Sequence, residues 1–262
     1  MWSCSNPLAW SRLPVPAETG GSLALRRHSG RFTNRGTWFV MLEPRLLLKL
    51  DRRWEQNVET VAVIDFETTG LYPQYGDRPT EIAVILVRGG QVIDRFQSLM
   101  NAGLRISGFI TSLTGITNQM IRAAPPVDRV MREAAKFAGD APLVAHNASF
   151  DRRFWDAELQ RIGRTRRREF ACSMLLARRL LPDAPDHKLG TLMAYAGLPA
   201  AGVYHRAEAD AEMAAHLTMH LEAQLLKRFN LDAVTHDLLT QIQKAPKHQL
   251  VRCVERYCQA CA

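Results

Sequence analysis

Residues 60–70 have the sequence TVAVIDFETTG. The run Val61–Ile64 is apolar throughout, which is typical of a central strand buried on both faces. Side chains alternate along a strand, so Asp65 and Glu67 point to one face and Phe66 to the other. Two neighbouring carboxylates at the end of a buried strand repel each other unless a cation lies between them. The stretch therefore predicts either a cation site or two solvated acids at a strand end.

The sequence that follows predicts alternating strands and helices. Residues 81–87 and 91–99 flank Gly89-Gly90, which is a hairpin turn signal. A strand at 142–145 leads into a helix at 149–162, and a short strand is expected near residue 170. The other predicted helices lie near 115–122, 127–138, 173–181, 189–196 and 207–229. This order predicts an α/β fold with a mixed sheet and helices on both faces.

A second acidic position follows the strand at 142–145, in the sequence HNASFD that starts at His146. Asp151 falls in the first helical turn, where the helix dipole favours a negative group. The pattern suits a functional acid or an ordinary N-terminal charge. We interpret His146 as a structural residue at the strand end.

A third acidic position lies in the sequence HRAEAD, which starts at His205. Asp210 precedes Met213 by three residues and Leu217 by seven, so it lies on the apolar face of a long helix. An inward acid requires a partner, and a metal ion would supply one. Glu208 falls off that face and is expected to be solvated. His205 precedes the helix, where it can move, and is a candidate general base.

Together these three motifs resemble the DEDDh family of 3′–5′ exonucleases, over about residues 59–226. The family includes the proofreading epsilon subunit of bacterial DNA polymerase III and the exonuclease domain of Gram-positive polymerases. Many members carry His where this chain has Thr114, but other members also have Thr there, so the difference is expected to be tolerated. It bears on how the terminal nucleotide is held. Weaker matches, specific in combination and order, are Leu71, Glu81-Ile82-Ala83, Thr114-Gly115-Ile116-Thr117, Lys188-Leu189, Leu192 and Gly197-Leu198.

The resemblance implies a ribonuclease H-like fold, with a mixed five-stranded sheet whose second strand is antiparallel to the others. It also implies two divalent metal ions, Mg²⁺ or Mn²⁺, about 3.5–4 Å apart. Hard oxygen ligands suit these hard ions. By resemblance, Asp65 bridges the ions, Glu67 and Asp210 complete one site, and Asp151 serves the other. His205 would take the proton from the attacking water.

The implied function is a 3′–5′ exonuclease that acts on single-stranded or frayed 3′ ends of DNA, in proofreading or repair. A DNA polymerase subunit is a further candidate partner. An exoribonuclease that trims RNA is an alternative, because nothing in the sequence decides how the site treats a 2′-OH. A non-catalytic nucleic-acid-binding module is another, although all five catalytic positions are intact. The candidate substrate-binding residues are Thr68, Thr69, Asn147 and Thr114.

The amino-acid composition limits which partners and which cellular compartment are expected. The 262 residues carry 34 Lys and Arg against 26 Asp and Glu, a net charge of +8, which weakly favours a phosphate-rich partner. No apolar stretch of about 18 residues occurs, so no membrane partner is expected. Five scattered cysteines do not suggest a disulfide framework, which favours a reducing cytoplasm.

Two further groups of residues allow two interpretations each. Cys253, Cys258 and Cys261, perhaps with His248, have a spacing that could hold a metal, but the absence of paired C-x-x-C motifs favours free thiols. An arginine-rich run either grips phosphates or forms a solvated loop. Its members are Arg161, Arg164, Arg166, Arg167 and Arg168.

The expected organisation has four parts. Residues 1–40 contain five Arg and one acid without a clear period, and are expected to be a dispensable disordered or artefactual extension. A targeting peptide is the alternative. Residues 41–58 form a linker helix, residues 59–230 the exonuclease domain, and residues 231–262 a C-terminal helical tail.

Overall fold

The computed structural model describes residues 59–199 and 205–261. The predictions for residues 1–40 and for the linker helix at 41–58 therefore lie outside the described residues. Five strands form one sheet in the order β3-β2-β1-β4-β5. They are β1 (Val61–Thr68), β2 (Pro79–Arg88), β3 (Gln91–Leu99), β4 (Leu143–Ala145) and β5 (Phe170–Cys172).

Strand direction agrees with the expected topology. Strand β2 runs antiparallel to both β1 and β3, whereas β4 is parallel to β1 and to β5. Gly89 and Gly90 both have positive φ, of 57° and 73°, which closes the tight hairpin between β2 and β3. The predicted mixed five-stranded sheet with an antiparallel second strand is confirmed.

The helices surround this sheet. The helix predicted near 115–122 is present at Asn118–Ala123, but the helix before it, Gly108–Thr114, was not predicted. Gly115, with φ of 72°, ends that first helix, and the Thr117 side chain caps the second one. The helices are α1 (Gly108–Thr114), α2 (Asn118–Ala123), α3 (Val127–Ala138), α4 (Ser149–Arg161), α5 (Ser173–Leu180), α6 (Leu189–Tyr195), α7 (Ala207–Phe229), α8 (His236–Lys244) and α9 (Leu250–Cys261).

Each face of the sheet has its own core, and β1 contributes to both. Val61 and Val63 belong to the core formed with α5, α6, α7, α8 and α9. Ala62, Ile64 and Phe66 belong to the opposite core, which α3 and α4 cover. Because side chains alternate along a strand, the residues after Ile64 at odd positions point to the α7 side.

Helices α8 and α9 contribute to the α7-side core. Leu238, Ile242, Leu250 and Val254 are buried there. The His236 ring also contacts the Leu143 carbonyl through Nε2 at 3.0 Å, which ties α8 to β4. In the described part of the chain, none of the helices is long and apolar enough to cross a membrane.

Candidate active site

The end of β1 presents two carboxylates to α7. Asp65 and Glu67 are half-buried and share the face that carries Val61 and Val63. Burial raises the pKa of Asp65 well above its usual range, and the charges of Asp151 and Asp210 raise it further. Burial, followed by the charge of Asp210, raises the pKa of Glu67 to about 8. These acids are therefore close together in a poorly hydrated place.

Helix α4 brings Asp151 to the same strand end. Asn147 adopts a left-handed conformation with φ of 62°, which lets the chain turn from β4 into α4. The Asp151 side chain is 1% exposed, and its Oδ1 accepts a hydrogen bond from the Phe66 backbone N–H at 3.2 Å. Burial raises the pKa of Asp151 to about 8. Asp151 is thus fixed against β1 from the side opposite α7.

The start of α7 supplies the remaining acid and the histidine. Asp210 is half-buried, and burial raises its pKa. The His205 backbone N–H donates to Asp210 Oδ2 at 3.1 Å, and the side chain of His205 is exposed. Within the described residues, one group of three could hold a metal ion: Glu67, His205 and Asp210, whose ligand atoms lie within 4.8 Å of one another. All five predicted catalytic positions therefore converge at the end of β1.

The four residues predicted to bind substrate have different surroundings. Thr69 Oγ1 donates to Asp77 Oδ1 at 3.2 Å and accepts from the Arg78 N–H at 3.0 Å, so it shapes the loop after β1. Thr68 is buried, and its hydroxyl donates to the Gly70 carbonyl. Thr114 is also buried, and its hydroxyl donates to the Ile110 carbonyl at 2.9 Å. Asn147 is exposed at the turn before α4. Contact of any of them with a substrate stays a prediction.

Two interpretations made from the sequence are supported by local contacts. His146 lies between Ser173 Oγ, 2.9 Å from Nδ1, and the His187 carbonyl, 3.1 Å from Nε2. Burial lowers its pKa to about 4, which suits a neutral structural histidine. Glu208 is exposed on α7, as expected for a solvated residue.

The arginine-rich run is largely engaged with acids of the protein. Four of its five members pair with carboxylates, which favours a structural role over a phosphate grip. The pairs are Arg161–Glu158 (3.8 Å), Arg166–Asp156 (2.8 Å), Arg167–Asp140 (2.9 Å) and Arg168–Glu59 (3.4 Å).

The C-terminal cysteines have distinct environments. Cys253 is buried in the α7-side core, and burial raises the pKa of its thiol. Cys258 is partly buried. The side chain of Cys261 lies outside the described part of the chain. That these cysteines hold no functional metal stays a prediction.

Glu81 is a residue that the motif analysis did not place in the site. It lies opposite Glu67 in the β1–β2 register, has no exposed surface, and forms an ion pair with Arg206 at 2.7 Å. Its charge also raises the pKa of Glu67. The sequence held a signal, because Glu81 is a lone acid in the otherwise apolar start of β2, and a buried acid requires a partner.

Comparison with known proteins places this geometry in a family. The family model described as Exonuclease matches residues 62–218. The chain is 37% identical over 171 residues to the PolC-type DNA polymerase III of Bacillus cereus, and that match covers 65% of this chain and 12% of that protein. The chain is 36% identical over 165 residues to the PolC-type DNA polymerase III of Bacillus subtilis, and that match covers 62% of this chain and 11% of that protein. The chain therefore spans only a small part of the length of these relatives.

Comparison with solved structures also identifies exonucleases as similar proteins. Exonuclease X in complex with 5′ overhanging duplex DNA is 26% identical, with a TM-score of 0.56, and the match covers 70% of this chain and 99% of that one. The nuclease domain of 3′hExo, a DEDDh family member bound to rAMP, shares the fold with a TM-score of 0.56 and is 18% identical in sequence. That match covers 68% of this chain and 97% of that one. Since the family match at residues 62–218 spans more than half of the sequence, the chain belongs to the exonuclease family, in agreement with the exonuclease resemblance found in the sequence.

Proposed function

We propose that this protein is a 3′–5′ exonuclease that removes nucleoside monophosphates from DNA 3′ ends with the help of two divalent cations, Mg²⁺ or Mn²⁺. One observation carries the proposal. Four carboxylates from β1, α4 and α7 converge beside His205, and burial raises the pKa of each of them. Such a cluster is costly to the protein alone and is suited to binding cations.

The chemistry of the donor set fits hard divalent ions. Carboxylate oxygens are the ligands that Mg²⁺ and Mn²⁺ prefer. The residues that would hold the ions are Asp65, Glu67, Asp151 and Asp210. Beyond the effect of burial, the charges of the other three all raise the pKa of Asp65, which supports the shared role that the resemblance implies for it. When bound, two such cations would stabilise the charge on the attacking and leaving oxygens of an in-line displacement at phosphorus.

His205 is the proposed general base. Its side chain is exposed, and its backbone N–H is held by Asp210 at 3.1 Å, so the ring lies at the rim of the acidic cluster. Imidazole is the side chain best suited to accept a proton near neutral pH. His205 would take the proton from the water that attacks the terminal phosphodiester.

The names of the relatives and the contents of their structures support a proposal for the substrate and the partner. The PolC-type proteins are DNA polymerases by name, and the Exonuclease X structure contains DNA, which supports DNA as substrate and a role in proofreading or repair. We propose that single-stranded or frayed 3′ ends enter the site, that a polymerase subunit is a candidate partner, and that the protein acts in the cytoplasm. Thr68, Thr69, Asn147 and Thr114 would line the path of the terminal nucleotides.

Digestion of matched oligonucleotides tests the substrate. Single-stranded DNA and RNA of the same sequence, labelled at the 5′ end, are incubated with and without Mn²⁺. The proposal predicts stepwise shortening of the DNA that requires the cation and is faster than that of the RNA. Equal or faster degradation of the RNA would instead identify an RNA-trimming enzyme, and binding of either strand without cleavage would indicate a non-catalytic module.

A further inference from the structure

A buried carboxylate on β2 is bonded to the start of α7. Glu81 has no exposed surface and lies directly opposite Glu67 across the β1–β2 register. Both residues are on the face of the sheet that α7 covers, because Ala83 and Ile85 on the same strand belong to the α7-side core. The charge of Glu81 must therefore be balanced by groups from α7 or its neighbours.

The bonds of Glu81 supply that balance. Arg206 donates through Nε to Oε2 at 3.0 Å and through Nη2 to Oε1 at 2.7 Å. The Ala207 backbone N–H, at the first position of α7, donates to Oε2 at 3.1 Å. Gln97 on β3 donates through Nε2 to Oε1. A two-pronged arginine–carboxylate pair has a defined geometry as well as strength, so Glu81 fixes where α7 begins.

This anchor adjoins the proposed catalytic residues. His205 directly precedes Arg206 and has φ of 63°, a left-handed conformation that is uncommon for a residue other than glycine. On one side its N–H is bonded to Asp210 Oδ2, and on the other its neighbour Arg206 is bonded to Glu81. The Asp210 N–H also donates to the Arg206 carbonyl at 3.0 Å.

We infer that the Glu81–Arg206 pair is a positioning device that holds His205 in its working geometry beside Asp210. The inference rests on the proposed function. Neither Glu81 nor Arg206 is assigned a contact with substrate, and they act through the residues that they hold. Because a misplacement of about 1 Å can slow a reaction roughly 100-fold, the pair should influence the rate more than the binding of DNA.

The chain offers a matched control. Arg95 on β3 pairs with Glu212 on α7 at 2.8 Å, two residues beyond Asp210. This second pair also joins the sheet to α7, but both side chains are partly exposed, at 46% and 26%. An effect specific to the buried pair should be missing in Arg95→Met.

The first test is a double-mutant cycle on the single-turnover cleavage rate at saturating Mn²⁺. We expect Glu81→Gln to lower the rate about 10- to 100-fold with little change in DNA affinity, and Arg95→Met to lower it less than about twofold. Adding Glu81→Gln to His205→Ala should cost less than about threefold, because the residue through which it acts is already absent. Rates that multiply in the double mutant, or a wild-type rate in Glu81→Gln, would overturn the inference.

Arg206→Lys is the second variant, for the case in which Glu81→Gln does not fold. It keeps the charge beside Glu81 but loses the two-pronged geometry. We expect a rate loss of about 10-fold with an unchanged unfolding midpoint. A wild-type rate in this variant would contradict the inference.

A measurement without metal or substrate separates this inference from the proposed function. In ¹⁵N-edited NMR spectra of the metal-free protein, the His205 amide reports its bond to Asp210. We expect its exchange with solvent to be at least about tenfold faster in Glu81→Gln or Arg206→Lys, and unchanged in Arg95→Met. An unchanged His205 amide in both variants would refute the positioning role. A wild-type protein that cleaves nothing would refute the proposed function, while the amide data would still decide the positioning role.

Discussion

Among the described residues, two sets of buried or half-buried acids differ in what balances their charge. Glu81 and Glu158 are almost fully buried and form close ion pairs with Arg206 and Arg78. At Asp65 and Asp151, by contrast, burial raises the pKa far above the usual range of a carboxyl group. An acid whose pKa is raised by burial is a candidate for binding a cation, because the positive charge of the cation offsets the negative charge of the carboxylate.

The proposed roles of His205 and of the acids can be separated by mutation. A general base contributes about 10²–10⁴-fold in rate, so His205→Ala should reduce turnover by that range and leave metal and DNA binding nearly normal. Asp65→Ala and Asp210→Ala should weaken metal binding as well, since each removes an oxygen ligand. Single-turnover kinetics beside calorimetric Mn²⁺ titration of each variant checks this. Wild-type cleavage by His205→Ala would require another base.

The raised pKa values predict how the metal-free protein responds to pH. Asp151 has a pKa of about 8 in the folded protein, against about 4 in an unfolded chain. Between these values the folded state binds more protons, so the free energy of unfolding should fall as pH rises from about 4 to about 8. Glu67, also at about 8, adds to the same trend.

Asp151→Asn should therefore weaken this pH dependence and make the metal-free protein more stable near pH 8. Asparagine keeps an oxygen that accepts the Phe66 N–H. Urea unfolding in the presence of a chelator, at several pH values, measures the effect. Asp156→Asn, on the same helix but 42% exposed, is the control. If the free energy of unfolding fell more steeply with pH in Asp151→Asn than in the wild type, the charge of Asp151 would not be the cause of the pH dependence.

At the scale of elements, the sequence predicted most of what local patterns control. The apolar run from Val61, the glycine pair after β2 and the 3.6-residue period around Asp210 each identified an element correctly. Helix α1 was missed, and the start of α2 was placed about three residues too early, since the left-handed Gly115 ends α1 and the Thr117 side chain caps α2. Periodicity describes a face of a helix but not its ends.

Ion pairs between residues that are distant in the sequence could not be predicted from the sequence. Glu81 meets Arg206 across 125 positions, and Arg78 meets Glu158 across 80. Such pairing depends on how the sheet and helices pack, which no local pattern contains. The convergence of Asp65, Asp151 and Asp210 was predictable because of the family resemblance, whereas the groups that hold them in place were not.

The Arg78–Glu158 pair should be a main link between α4 and the loop after β1. Arg78 donates to both carboxylate oxygens of Glu158, at 2.7 and 2.9 Å, and Glu158 is 1% exposed. Arg78→Met leaves that buried acid without its main partner, and we expect a loss of about 2–3 kcal/mol, since water still reaches the place of Arg78. Arg129→Met, which breaks the exposed Arg129–Glu133 pair, should cost less than about 1 kcal/mol. Equal losses in urea unfolding would contradict this.

At the scale of the whole molecule, the segment after residue 230 shares its core with the exonuclease domain. Leu238, Leu239, Ile242 and Leu250 are buried among residues of β1, α5 and α7. A chain that ends at Asn230 would lose these side chains and expose their partners to water, and the full burial of one such side chain is worth about 1.5–3 kcal/mol. We expect the unfolding midpoint to fall sharply, or the protein to become insoluble. An unchanged midpoint would show that residues 231–262 are a separable tail.

We expect the acidic cluster at the end of β1 to drive stepwise, cation-dependent cleavage from the 3′ end. The most direct measurement follows single-stranded DNA labelled at its 5′ end, with and without Mn²⁺, for the wild type and for Asp65→Asn. A ladder of products that shorten one nucleotide at a time is expected only for the wild type with Mn²⁺. Cleavage that persists without the cation or in Asp65→Asn, or products released from the 5′ end, would contradict it.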